Sequence, residues 1–505
     1  MTSLAQRTAK NSFYGFLSYA VPIAFTIVLT PLIIHRLGVE HYGLFVLTSV
    51  IAGFFSLFKF GLGYGISKIV SQYHGDPAQE GVSEIISSTL VLFTLIGLAG
   101  LGMTMLVAHF GLSQLNISPN QQIDAQIMFQ LSGVAFFFSS INSTFTNAIA
   151  AMQRLDIYTK IYLGGMTTLN VSMALLVISG FGIVSLVAAQ AATSALLFFG
   201  YYIATRRLLP NIAIRLKYTH ATFKKFISLN AYAYLHEAAT TLLFEFDKVV
   251  VATVAGPAAV SYYSIAGTIG QKVQGTIGSL TSIAMPISSS LTATAEHARV
   301  AQIYQRAMSV TFCVASGLTI AVIGFGPAIL RYWVGSDFER ESLSAVYILA
   351  ITYFLLAIFT VLGHFVLGLG QVKRLARYTA VFAGLNLILR FMLLPKFGIT
   401  GAAWAYLLCL IPLPFFILTT EREVFHITTS RLFYLRQLYA VLTMAVIGLI
   451  TARILTLTVV HSFISVALTG ALWLIGYAIL YKKLGFVSPE NWQLIIDSLR
   501  RLIKK

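Results

Sequence analysis

Apolar and polar positions along the chain follow one repeated pattern, in which long, mostly apolar runs alternate with short polar connections. An α-helix needs about 20 such residues to cross the hydrocarbon core of a bilayer. The pattern therefore predicts an all-α integral membrane protein with about fourteen transmembrane helices. Their expected bounds are 12–34, 42–66, 84–109, 124–149, 158–178, 182–204, 226–253, 260–287, 306–329, 343–368, 377–395, 399–420, 437–457 and 461–481.

Composition agrees with this pattern. Of the 505 residues, 57% are hydrophobic and 10% are charged, whereas soluble chains carry about 25% charged residues. Cys313 and Cys409 lie inside apolar runs without metal-ligand spacing, so we expect no metal site and no cofactor. The first apolar run lacks a signal-peptide cleavage pattern, and we interpret it as a retained span.

Basic residues are distributed unevenly between the two sets of connections. Of the 34 Lys and Arg residues, this assignment places 25 in one set, five in the other and four within spans. The positive-inside rule then puts the basic connections and both termini in the cytoplasm. The net charge of +17 is thereby explained by membrane topology, and no nucleic-acid partner is expected.

Two pairs of turns indicate an internal repeat. The segment 37–45 resembles 255–263 at an offset of 218, and 181–183 resembles 397–399 at an offset of 216. Because six spans separate the equivalent turns, the halves run in the same direction and predict a parallel repeat. The expected parts are an N-terminal six-helix half (8–205), a cytoplasmic linker (206–225), a C-terminal six-helix half (226–420), two extra helices (437–481) and a basic amphipathic cytoplasmic tail (487–505).

The seventh span concentrates charge. Glu237, Glu245 and Lys248 share one helical face, and Asp247 lies on an adjacent face nearer the outer interface. Charge inside a membrane is costly and often functional. The acids either face a cavity and exchange cations or protons, or Glu245 and Lys248 simply neutralise each other. For ion coupling we favour Glu237 or Glu245, because water is expected to reach Asp247.

Cationic and polar residues in other spans are candidates for binding an anionic substrate. Lys272 and Gln271 lie on span 8, too deep for Lys272 to extend easily to headgroups. The roles of Lys59 on span 2 and Arg390 on span 11 are more ambiguous, because each side chain could extend to the headgroups instead of lining a cavity. No nucleotide-binding loop, zinc-protease motif or serine-hydrolase elbow occurs in the sequence. We therefore expect a transporter and not an enzyme.

Four segments resemble a known family. They are 30–43, with its Leu-Gly-x-x-x-Tyr-Gly turn, 60–65 with Gly-Leu-Gly, 246–256 with Phe-Asp-Lys-Val-Val, and 396–403. These motifs resemble Wzx-type O-antigen and polysaccharide repeat-unit flippases of the multidrug/oligosaccharidyl-lipid/polysaccharide (MOP) exporter superfamily. The resemblance covers residues 8–420 and implies two MATE-like halves. The two extra helices are similar to those of fourteen-span lipid II flippases.

The resemblance implies a substrate and a location. The substrate would be an undecaprenyl-diphosphate-linked oligosaccharide, moved from the cytoplasmic to the periplasmic leaflet of the bacterial inner membrane. Lys59 and Lys272 would contact the diphosphate, H⁺ or Na⁺ would be the coupling ion, and a polysaccharide polymerase and glycosyltransferases would be partners. Two alternatives remain open: a multidrug cation antiporter of the same superfamily, and a non-transporting scaffold of a polysaccharide synthase complex.

Overall fold

The computed structural model describes residues 4–55, 57, 79–152, 154–210, 234–281, 284–285, 288–289, 297–427 and 430–487. Within these residues the chain is helical and contains no strand, as the apolar pattern predicts. The helices are α1 Leu4–Leu37, α2 Val39–Phe55, α3 Gln79–Leu106, α4 Gln122–Ala151, α5 Leu155–Ile178, α6 Ile183–Leu208, α7 Phe246–Thr281, α8 His297–Trp333, α9 Ser336–Gly368, α10 Val372–Leu408, α11 Leu413–Glu423, α12 Ser430–Thr458 and α13 Phe463–Lys483.

Many of these helices are built to cross a bilayer. In the described part of the chain, nine helical segments are long and apolar enough to span one. Two of the nine, Tyr234–Thr281 and Val372–Glu423, each overlap two predicted spans. In both, a glycine with positive φ interrupts the helix, at Gly256 (φ 79°) and Gly398 (φ 58°). The predicted multi-pass helical membrane fold is confirmed.

Turn glycines recur at a constant spacing. Gly38 and Gly256 both have positive φ and lie 218 residues apart, and so do Gly180 and Gly398. Glycine is the residue that adopts this backbone region without steric cost. The similarity between segments 181–183 and 397–399 aligns Gly182 with Gly398. The positive φ angles instead make Gly180 the equivalent of Gly398. The repeated spacing agrees with an internal repeat, and the half boundaries remain a prediction.

The chain divides into two compact units, Met1–Ser261 and Tyr262–Lys505. This division falls within α7, so span 7 belongs to the first unit. In that unit, α4 packs between α3 and α6. Phe145 of α4 lies in an apolar cluster with Tyr201 of α6, and the Asn142 amide donates to the Ser194 carbonyl at 3.1 Å.

In the second unit, α8 packs against α9 on one side and against the α12–α13 hairpin on the other. The contact between α8 and the hairpin is largely apolar, and the Ser316 and Tyr477 hydroxyls, 2.8 Å apart, form a hydrogen bond across it. Within the hairpin, the Trp473 indole of α13 donates to Thr451 of α12 at 2.9 Å. The hairpin is thus fixed to α8 by packing and by the Ser316–Tyr477 hydrogen bond. Residues 488–505, which include most of the predicted tail, lie outside the described residues.

Candidate functional site

The acidic residues of span 7 have three different environments. Glu237 is exposed on the helical segment before α7. Glu245 lies at a helix break, and its carboxylate accepts from the Lys248 ammonium at 2.8 Å. The two paired side chains are 34% and 16% exposed, respectively. The neutralising pair weighed in the sequence analysis is therefore present in this conformation.

Asp247 is the most enclosed of the three acids. Its side chain is 4% exposed, although its position near the outer interface suggests access to water. That expectation is wrong for this conformation. The Asp247 carboxylate accepts the main-chain N–H of Lys248 at 2.8 Å. The exposure of each acid therefore depends on how its side chain packs, and not only on its position along span 7.

Lys272 and Gln271 lie together on the second segment of α7. Both side chains are half-buried, and neither has a hydrogen-bond or ion-pair partner for its side chain among the described residues. Lys272 follows Gly256 by sixteen residues, about 24 Å along a helix at 1.5 Å per residue. An unpaired ammonium at this position is available to an anionic group. Lys59, the other predicted cavity lysine, lies outside the described residues.

Arg390 is enclosed in the second unit. Its side chain is 1% exposed, and its electrostatic neighbours are Tyr406 of the same helix and Cys409, which follows the helix end. Tyr353 of α9 packs on the Tyr406 ring at 5.8 Å. The flanking Ile388 and other α10 side chains face outward. Arg390 thus points into the bundle, and its predicted substrate contact requires a conformation other than this one.

A third group of residues joins the turn after α1 to the kink in α7. A Cβ at Gly43 would overlap the carbonyl oxygen of Pro257. The Ser261 hydroxyl donates to the Val39 carbonyl at 2.5 Å. We call this group the turn cluster; its members are Val39, Gly43, Asn116, Thr253, Pro257 and Ser261.

Asn116 completes the turn cluster by donating a hydrogen bond to the Thr253 carbonyl. In an α-helix the Thr253 carbonyl would accept the N–H of residue 257, but Pro257 has none. The Asn116 amide donates to that carbonyl instead, at 2.8 Å. Nearby, Gln121 donates to the Glu40 carboxylate at 2.9 Å. The sequence analysis identified the glycine turn and missed Asn116, although a proline four residues after Thr253 marks an open acceptor.

The family of the chain is apparent from sequence comparison. A family model described as "Polysaccharide biosynthesis protein" matches residues 34–342. A Shigella flexneri protein named "Putative O-antigen transporter" is 20% identical over 408 residues, which cover 78% of this chain and 93% of that protein. The family model covers the motif segments 60–65 and 246–256 and most of 30–43.

Solved structures share the fold. Lipid II flippase MurJ in an inward closed conformation has a TM-score of 0.72 at 16% identity, covering 93% of this chain and 99% of that chain. An inward-facing multidrug resistance MATE family transporter of the MOP superfamily has a TM-score of 0.66 at 13% identity, covering 83% and 95%. A MOP superfamily transporter from Pyrococcus furiosus has a TM-score of 0.61 at 13% identity, covering 84% and 97%. The predicted MOP-type architecture is confirmed.

Proposed function

Since this chain belongs to the polysaccharide biosynthesis protein family, we propose that it is a flippase for an undecaprenyl-diphosphate-linked oligosaccharide. The cargo would be an O-antigen, capsule or exopolysaccharide repeat unit, moved from the cytoplasmic to the periplasmic leaflet. The observation that carries the proposal is the family match over most of both halves, on a chain with the MOP transporter fold. The named function of the Shigella relative agrees with it.

The proposed topology places the protein in the bacterial inner membrane with both termini in the cytoplasm. The Lys and Arg asymmetry supports this orientation. On this topology the turn cluster, whose contacts join the turn after α1 to the kink of α7, lies on the periplasmic side. Transport by alternating access requires these contacts to separate when the substrate leaves.

Lys272 is the proposed diphosphate contact, with Gln271 beside it and Lys59 and Arg390 as further substrate-binding candidates. Its position sixteen residues after Gly256 on α7 supports a location nearer the leaflet in which the substrate would be assembled. The Lys272 ammonium would bind the diphosphate chiefly as a point charge, so the charge of this side chain matters more than the geometry of its hydrogen bonds.

Replacement of Lys272 tests this role. Lys272→Ala should abolish glycan export in cells whose own gene is deleted, whereas Lys272→Arg should retain part of it. Lys396→Ala removes the same charge from an exposed position just before the Gly398 interruption of α10 and serves as the matched control. Surface glycan, measured relative to the amount of protein in the membrane, is the readout. Normal export by Lys272→Ala would exclude the residue from substrate binding.

Ion coupling is the second part of the proposal. Without a nucleotide site, H⁺ or Na⁺ exchange at Glu237, Glu245 or Asp247 could bias the cycle outward. The Lys248 ion pair holds Glu245 in this conformation, and Asp247 is buried, whereas Glu237 is exposed. Polysaccharide polymerase and glycosyltransferases remain the proposed partners, because they act on the same glycan.

The second candidate function is export of organic cations. The MATE family neighbours and the acids of span 7 favour it. The two functions differ in the charge of the substrate. An antiporter needs acidic side chains that can bind a cation, whereas a flippase needs basic side chains that can bind a diphosphate. Resistance of cells to cationic dyes, measured in the same deletion strain, separates them.

A further inference from the structure

Glu421 is a buried acid that the predicted spans leave in a cytoplasmic connection. Its side chain is 2% exposed near the end of α11. One carboxylate oxygen, Oε1, accepts the Tyr434 hydroxyl at 2.6 Å. The other oxygen, Oε2, is buried and has no hydrogen-bond partner among the described residues. A buried charged oxygen without a partner is strongly unfavourable.

Three helices enclose this carboxylate. Glu421 belongs to α11, Tyr434 to α12 and Tyr304 to α8, and the two tyrosine hydroxyls lie 3.5 Å apart. The fully buried Tyr304 ring stacks on Phe425, with centroids 4.5 Å apart, and meets Phe365 edge-on at 5.4 Å. Aromatic rings thus surround a small polar centre whose hydroxyls are already directed at one another and at Oε1.

No basic side chain balances Glu421 within the part of the chain that the structure describes. Arg374, on the neighbouring α10, pairs with Glu423 at 2.6 Å and lies near Tyr378. His426, in the turn that follows, is exposed. The two acids of α11 therefore have different environments. Glu423 is exposed and forms an ion pair with Arg374, whereas Glu421 is buried and accepts a hydrogen bond from the Tyr434 hydroxyl.

We propose that Glu421 is a binding site for one monovalent cation, a proton or Na⁺, held on Oε2. A single positive charge on Oε2 neutralises the carboxylate and so removes the cost of an uncompensated buried charge. The site is distinct from the acids of span 7. It lies where the six-helix half meets the added α12–α13 hairpin, so the bound ion would also stabilise that junction. The proposal does not depend on which lipid the protein carries.

The first test uses the unmodified protein in nanodiscs. A hydrophobic carbodiimide reacts with buried protonated carboxyl groups, and mass spectrometry locates the adduct. We expect modification at Glu421 and none at Glu423. Protection by Na⁺ at constant pH identifies Na⁺ as the ligand, whereas protection only on raising the pH identifies the proton. Absence of modification at Glu421 under all these conditions counts against the site.

The second test counts bound ions. Glu421→Gln should lose one equivalent of saturable ²²Na⁺, or of proton uptake seen as the carbonyl band of a protonated acid in infrared difference spectra. Glu423→Gln is the matched control and should lose neither. Tyr434→Phe keeps the carboxylate and should retain the stoichiometry, which guards against a Glu421→Gln variant that fails to fold. Equal uptake by wild type and a folded Glu421→Gln would overturn the proposal.

Discussion

Gly43 is the residue at which the turn after α1 meets the kink of α7. Its backbone approaches Pro257 so closely that no Cβ fits without movement of one helix. Gly38, five residues earlier, instead serves the turn through its positive φ. The Leu-Gly-x-x-x-Tyr-Gly motif thus contains two glycines with different physical tasks, one conformational and one steric.

Gly43→Ala should therefore destabilise the turn cluster. Overpacking a tight contact typically costs about 1–3 kcal/mol. Gly53→Ala, in the same helix with open space around it, should be neutral or stabilising by up to about 1 kcal/mol. Thermal unfolding in detergent compares the two variants. Equal stability of both would mean that the Pro257 contact is not tight in the protein.

At this scale the sequence predicts charged residues better than their partners. Glu237, Glu245, Asp247 and Lys272 stand out because they interrupt apolar spans. The Glu245–Lys248 pair is local and was one of the two expected interpretations. Contacts between distant segments, such as Asn116 with Thr253, depend on helix packing that periodicity does not contain. Glu421 was missed because it lies one residue beyond an expected span end.

The α12–α13 hairpin is an element whose outer surface is apolar and whose inner surface fits α8. Small residues make this fit possible. A Cβ at Gly324 of α8 would lie 2.5 Å from the Ala452 Cβ of α12, and one at Gly317 would lie 2.9 Å from the Tyr477 ring. The close approach of α8 to α12 at Gly324, and to α13 at Gly317, therefore requires glycine at these positions.

Gly324→Leu should weaken the hairpin's attachment to α8. A bulky side chain must push α12 away, at a cost of about 1–3 kcal/mol. Gly470→Leu places the same side chain on α13 in open space and should leave stability almost unchanged. Thermal unfolding, with protease sensitivity of the α11–α12 connection, measures the difference. Similar behaviour of the two variants would contradict the packing described for the hairpin.

The sequence predicts the helices themselves well, because a segment that crosses a bilayer must be a long apolar helix. The predicted turns at Gly256 and Gly398 are also found, since glycine and nearby proline interrupt helices. The division into compact units was not foreseen. It falls after Ser261, because span 7 packs with the first unit through the turn cluster, whereas the sequence repeat predicts a boundary between spans 6 and 7.

At the scale of the whole molecule, we propose a carrier in which the contacts of the turn cluster separate during transport. Asn116 and Gly256 offer a way to hold these contacts together. A Cβ at Gly256 would lie 3.9 Å from that of Asn116, within the range of about 3.5–4.5 Å that a disulfide requires. Asn116→Cys with Gly256→Cys therefore gives a reversible lock. Because Gly256 has φ 79°, where a side chain is strained, the Gly256→Cys single variant measures the effect of that strain, and Asn116→Cys is the second control.

The most direct measurement is flipping of a labelled undecaprenyl-diphosphate oligosaccharide in proteoliposomes that contain this double variant. We predict that the lipid crosses the bilayer when the cysteines are reduced, stops when they are oxidised and resumes after reduction, while the single variants stay active throughout. A rate no higher than that of protein-free liposomes would contradict the flippase assignment. A rate above that background but unaffected by oxidation would contradict transport by opening of the turn cluster.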